Sequence, residues 1–120
     1  MEATRIFTEL RTILIPYAES LDVKEDTDES YYVDTRHVMK NGKPLFFGAT
    51  QIRKRYVSFH LMPVYVNPRL LTAASSALLK RMHGKSCFNF TKIEPDLLEE
   101  LVSLTKSGYD DYGKEGYIAR

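Results

Sequence analysis

The sequence predicts an α+β domain: an antiparallel sheet, built from a three-stranded meander plus a short strand, with N- and C-terminal helices packed on one face. Three features point there. Ile6, Phe7, Leu10, Ile13, Leu14 and Tyr17 recur at helical spacing, and Leu97, Leu98, Leu101, Val102 and Leu104 do the same near the other end. Between these stripes, residues 31–39 and 44–53 read as strands around Asn41-Gly42, the strongest short hairpin signal in the chain. The 120 residues suffice for one domain around one core.

The first helix is expected over 4–20, with Pro16 kinking it or ending it early because proline has no N–H to donate. Residues 19–30 hold six acids and read as a solvated loop. The meander spans 31–66, its second turn made by Lys54-Arg55, and Pro63 stops strand pairing near its end. Short helices follow over 68–82, opened by Pro68, with Ser75 or Ser76 as an N-cap and Gly84 as the terminating residue. Residues 85–90 (KSCFNF) make a short strand. Pro95 opens the last helix, 95–107, and Gly108 ends it; the Tyr- and Gly-rich tail 108–120 is expected to fray.

Hairpin chemistry also predicts the faces. A two-residue type I′ turn at Asn41-Gly42 places Lys40 opposite Lys43, Val33 opposite Thr50 and Tyr31 opposite Ile52. A two-residue turn at Lys54-Arg55 places Ile52 opposite Val57, Thr50 opposite Phe59 and Gly48 opposite Leu61. Side chains alternate along a strand, so these residues share a core face with His37 and Phe46. The other face then carries Tyr32, Asp34, Arg36, Phe47, Gln51, Tyr56, His60 and Met62. That mixture is too apolar for plain solvent-facing sheet and too polar for core, and such patches mark interfaces or ligand grooves. These eight are the candidate ligand- or partner-binding residues.

Net charge is only +1, but it is unevenly spread. Residues 1–34 carry nine acids and three bases, residues 35–93 eleven bases and no acid, and residues 94–120 seven acids and three bases. The basic middle either attracts an external anion or faces the acidic flanks of the same chain or of a second copy, and the second is the expectation. No apolar run approaches the roughly 20 residues that cross a bilayer, and the N-terminus does not read as a secretory signal. The single cysteine, Cys87, has no partner for an internal disulfide, so a cytoplasmic location is expected.

Motifs of chemistry are weak. HGKSC (83–87) ends like a phosphate-binding loop, but position 79 is Leu79 where that loop needs glycine. What survives is a single-anion site at Arg81 and Lys85. Three histidines and one cysteine do not converge by spacing, and nothing in the sequence sets a base beside Cys87 to activate it. Aromatics near Arg53-Lys54-Arg55 invite base stacking, yet no RNA-recognition signature accompanies them.

The order of elements, together with NGKPLFFGATQIRKRYVSFHLMP (41–63), HGKSCFNF (83–90) and the final helix from Glu94, resembles the YdhG-like family of small domains, most of unknown function. The resemblance spans residues 30–107 and implies helices on one face of an antiparallel sheet. Some members are described as frataxin-like iron chaperones that use acidic surface residues. Carried over, that implies an iron surface among Glu19, Asp22, Glu25, Asp26, Asp28 and Glu29. The chain departs from the family at TRHVM (35–39), where a Gly-x-Pro segment is expected.

The functional expectation is therefore a small non-enzymatic module that binds a ligand or a protein partner, a second copy included. A membrane or nucleic-acid partner is not expected, nor is a cofactor other than iron. The alternatives are an iron donor and a small enzyme with a pocket around His60.

Overall fold

The computed structural model describes residues 1–119. In chain order the elements are α1 (Ala3–Leu14), β1 (Asp22–Asp26), β2 (Ser30–Val38), β3 (Pro44–Ile52), β4 (Val57–Leu61), α2 (Met62–Val66), α3 (Ser76–Leu79), β5 (Met82–His83), β6 (Cys87–Phe90) and α4 (Pro95–Lys114). Two 3₁₀ segments, Ile15–Ser20 and Pro68–Ala73, join them. The strands form one antiparallel sheet of six in the order β1-β2-β3-β4-β6-β5.

The α1 stripe is buried through Ile6, Phe7, Leu10, Ile13 and Leu14 and packs on β3 and β4. Pro16 sits at the start of the 3₁₀ segment, where its missing N–H costs no helical bond. At the other end α4 runs straight through Gly108 to Lys114, correcting the expected stop. Gly108 answers to packing: an added Cβ would lie 2.8 Å from Pro63 Cβ. Much of the expected tail is therefore structured. Tyr112 is fully buried, its hydroxyl donates to the Phe46 carbonyl at 2.9 Å, and Ile118 joins the core.

The sheet departs from the sequence reading in three places. Residues 22–26 are an edge strand rather than loop, closed to β2 by a turn in which Thr27 Oγ1 accepts from the Glu29 and Ser30 N–H groups. Residues 62–66 are helical, so the meander stops at Leu61; Met62 turns toward the core and leaves the candidate face.

The third departure decides the site. The β2–β3 loop has five residues, 39–43, with Met39 N–H donating to the Lys43 carbonyl at 2.8 Å. Only Gly42 takes a positive φ, +82°, in a turn-plus-glycine loop rather than the expected type I′ pair. A bulge follows: Val33 pairs with Gly48 but Asp34 pairs with Phe46, leaving Phe47 as the extra residue. The two phenylalanines thus exchange faces. Phe47 is fully buried against Tyr17, Tyr109 and Tyr112, and burying one such ring stabilises the fold by about 1.5–3 kcal/mol. Phe46 takes the opposite face. The β3–β4 register, with Ile52 on Val57 and Gly48 on Leu61, agrees with the two-residue turn.

Candidate functional site

Residues opposite one another on neighbouring strands share a face. One row on the face away from α1 reads Tyr32, Ala49, His60 and Cys87, with His83 at its end. The next reads Ser30, Gln51, Ser58 and Asn89. Phe46 joins them because of the bulge. Its ring stacks on Tyr32 with centroids 4.6 Å apart and lies 6.4 Å from the His60 ring. Tyr32, Phe46 and Ala49 all lie outside the core cluster, which draws on the helical side. Ala49 and Ser58 are nonetheless buried. Small side chains between tall ones make a floor, and Tyr32, Phe46, His60 and Gln51 make the walls.

A rail of hydrogen bonds borders this floor. Arg53 Nη2 donates to Gln51 Oε1, Gln51 Nε2 donates to Ser30 Oγ at 3.0 Å, and Ser30 Oγ donates to Glu25 Oε1. The rail holds the Arg53 guanidinium near His60. Burial, seconded by the positive charge of Arg53, pushes the His60 imidazole below its ordinary pKa, so it stays neutral near pH 7. Burial pushes the neighbouring Cys87 thiol up, and its Sγ donates to Asn89 Oδ1 at 3.3 Å. Each environment favours the uncharged partner, so the two do not form the thiolate–imidazolium pair of a nucleophilic site.

Asp34 stands apart. It is 7% exposed, lies on this face beside Tyr32, and pairs across the strands with Asp22 and Phe46. Among the described residues no donor hydrogen-bonds its carboxylate. Lys24, the nearest base, is bonded to Asp22 instead at 2.9 Å. The Gln51, Ser30 and Thr35 donors are spent on Ser30, Glu25 and the Leu45 carbonyl. Burial therefore raises the Asp34 pKa, partly offset by Lys24. Among the described residues the buried side-chain oxygen left without a partner is Thr105 Oγ1, not the Asp34 carboxylate.

Of the eight residues expected on this face, Tyr32, Asp34, Gln51 and His60 are there. Asp34 stands one row from His60, not level with it as the two-residue turn implied. Phe47 and Met62 belong to the core side for the reasons given. Arg36 is exposed, donating to the Glu19 and Leu21 carbonyls and pinning the start of β1. Tyr56 is half-buried at the β3–β4 turn, where its carbonyl accepts from Arg53 N–H. Phe46, Cys87 and Asn89 are additions. Phe46 was hidden because nothing in a Phe-Phe pair says which ring a bulge will turn outward.

The other expected sites do not assemble. Asp22 binds Lys24, Glu25 accepts from Ser30 and Asp26 pairs with Arg11 at 3.0 Å. Glu19 belongs to the first 3₁₀ segment, and Asp28 and Glu29 to the β1–β2 turn. Among the described residues no group of three or more His, Cys, Asp or Glu is placed to hold a metal ion. An edge strand sends alternate carboxylates to opposite faces, which separates what the sequence placed side by side. Arg81 grips Glu94 through two bonds of 2.7 and 2.8 Å, while Lys85 sits in the β5–β6 turn, 5.9 Å above the Tyr65 ring centre. The expected anion pair is thus divided. His37 is half-buried against Tyr117.

Among the described residues, Arg81 is also the only base of the 35–93 segment with an ion-pair partner. Arg36 and Lys92 in addition act through space on the flank acids Asp22 and Glu94. A groove of about 360 Å³ lies between α4 and the short helices, floored by Leu70, Leu78 and Leu104 and edged by Asp96, Glu99 and Glu100. The Glu100 carboxylate is already used there, accepting from the Ser75 N–H and hydroxyl. No described helix is long and apolar enough to cross a membrane. No family model, curated protein or solved structure matches the chain.

Proposed function

We propose that the protein is a non-enzymatic binding module whose working surface is the face of the sheet bearing Tyr32, Asp34, Phe46, Gln51 and His60. One observation carries this: the stacked rings of Tyr32 and Phe46 lie outside the core, beside the acid Asp34. Apolar rings outside the core mark a surface that a bound partner would cover. The neutral imidazole and protonated thiol supply polar contacts without an activated nucleophile.

The test uses the exchange of the two phenylalanines. Small aromatic fragments are titrated into isotope-labelled protein and followed through backbone amide shifts. They are expected to move Tyr32, Phe46, Gln51 and His60. Phe46→Ala should abolish those shifts and leave the fold intact. Phe47→Ala should instead cost about 3–5 kcal/mol, as loss of a buried ring does. Shifts confined to the Leu70/Leu78/Leu104 groove would refute the proposal.

A further inference from the structure

The face does more than offer apolar contact, because its hydrogen-bond donors gather at one place. Ser58, short and buried, lies between Gln51 and Asn89 in its row and two residues along β4 from His60. The Arg53 guanidinium is held beside this spot by its bond to Gln51 Oε1, which spends one of its five N–H groups. Among the described residues Arg53 has no ion-pair partner. Asn89 Oδ1 accepts from Cys87 Sγ, which leaves the two N–H groups of its amide unspent. The neutral His60 ring keeps one N–H and gives it to no described residue. Arg53 is also the one charge that bears on both His60 and Cys87. The carboxylates lie elsewhere. Glu25 is at the far end of the rail, and Asp22 and Asp34 are at the β1 border, where Lys24 acts on both and Arg36 on Asp22.

Resting on the reading of this face as the binding surface, we infer that its ligand is a flat aromatic anion: a carboxylate or phosphate group on Arg53, His60 and Asn89, with its ring along Phe46 and Tyr32. The spacing suits one small molecule. The Phe46 ring lies 6.4 Å from the His60 ring and stacks on Tyr32 at 4.6 Å, so a short linker joins an anion on the donors to a ring on the stack. An ionised carboxylate or phosphate only accepts, and arginine meets it with a planar fork of N–H groups. Such charge-assisted bonds are roughly twice as strong as neutral ones. A cation would find a like charge and unspent donors at this spot. A neutral hydroxyl would take one bond and leave the guanidinium unanswered.

Four probes of similar shape and different charge decide the matter: hydrocinnamate, phenethyl phosphate, phenethyl alcohol and phenethylammonium. Each is titrated at neutral pH and fixed ionic strength and followed by amide shifts. At least one anion is expected to move Phe46, Ser58, His60 and Asn89 and to bind about tenfold more tightly than the alcohol. Whichever anion binds more tightly names the group that the donors fit. Arg53→Gln, at an exposed position, should erase the preference. Lys54→Gln removes an equal charge from the adjoining turn and should keep it. Equal or tighter binding of the alcohol or the ammonium would overturn the ligand class while leaving the face as a binding surface. So would an anion preference that survives Arg53→Gln, or one lost equally in Lys54→Gln, since the second outcome means a diffuse field and not a site. If none of the four moves those amides, the face itself is misread and the inference falls with it.

Discussion

Replacing Gly108 by alanine sets two well-known effects against each other. In the interior of an exposed helix, glycine to alanine is worth about 1 kcal/mol in favour of folding. Here the new methyl would stand 2.8 Å from Pro63 Cβ and 3.0 Å from Pro63 Cγ, whereas carbon atoms rest comfortably at about 3.5–4.0 Å. The neighbour cannot swing aside. Pro63 is a ring closed on its own backbone, buried, with its carbonyl accepting from Asn67 N–H at 2.8 Å. Either α4 or α2 must therefore shift, and overpacking of this kind costs about 1–3 kcal/mol. Strain wins narrowly, and Gly108→Ala is expected to lose about 1 kcal/mol net. For a chain of this size that is roughly 3–5 °C in midpoint, readable by thermal and urea unfolding. In a Pro63→Ala background the cost should shrink, because the rigid ring is gone and the two sites couple. A Gly108→Ala protein as stable as the parent, or more so, would show that the two helices do not approach this closely.

Two further expectations concern charge on the face that bears Tyr32 and Phe46. Asp34→Asn should raise stability near pH 7 by about 1 kcal/mol, because desolvation disfavours the charge that the substitution removes. The folded-state pKa of Asp34 lies above its ordinary value, so the native state holds that proton more tightly than the unfolded one. Its cost to stability is therefore complete above the folded value and fades as pH falls toward the unfolded value of about 4; urea midpoints at neutral and acid pH should show the gain vanishing. For His60 the sign is opposite: its pKa is lowered by burial and by Arg53, so stability is lost as pH falls below the unfolded value of about 6.5. In an imidazole proton titration Arg53→Gln should move the His60 pKa upward, and an unmoved value would mean that Arg53 does not face the ring.

What the sequence made legible follows from where local rules act alone. The stripes of α1 and α4, the Ser75 cap and the β3–β4 turn depend on spacing or on one residue's chemistry, and the structure has them. The expected end of α4 was misplaced because glycine has two uses, ending helices and allowing close approach, and only the position of Pro63 tells them apart. β1 was missed because DVKED has the composition of a loop; it pairs with β2 because its backbone finds partners, not because its side chains bury. The face was read with the correct alternation and the wrong register on its first hairpin. A single extra residue in β3 was enough to put Phe46 where Phe47 was expected. The row that places Cys87 beside His60 depends on β4 meeting β6 across a long connection, which no local signal announces.

The two borders of the sheet limit how copies of this protein can meet. One border, β1, is short, bulged at Lys24 and exposed at all five positions, four of them charged; the other, β5, is two residues long. Neither offers the long, uncharged row of free N–H and C=O groups on which a foreign strand adds itself. Growth by strand addition, the route to fibres, is closed at both ends without a covering helix. Contacts between copies are thereby left to the faces and helices of the molecule rather than to its sheet edges.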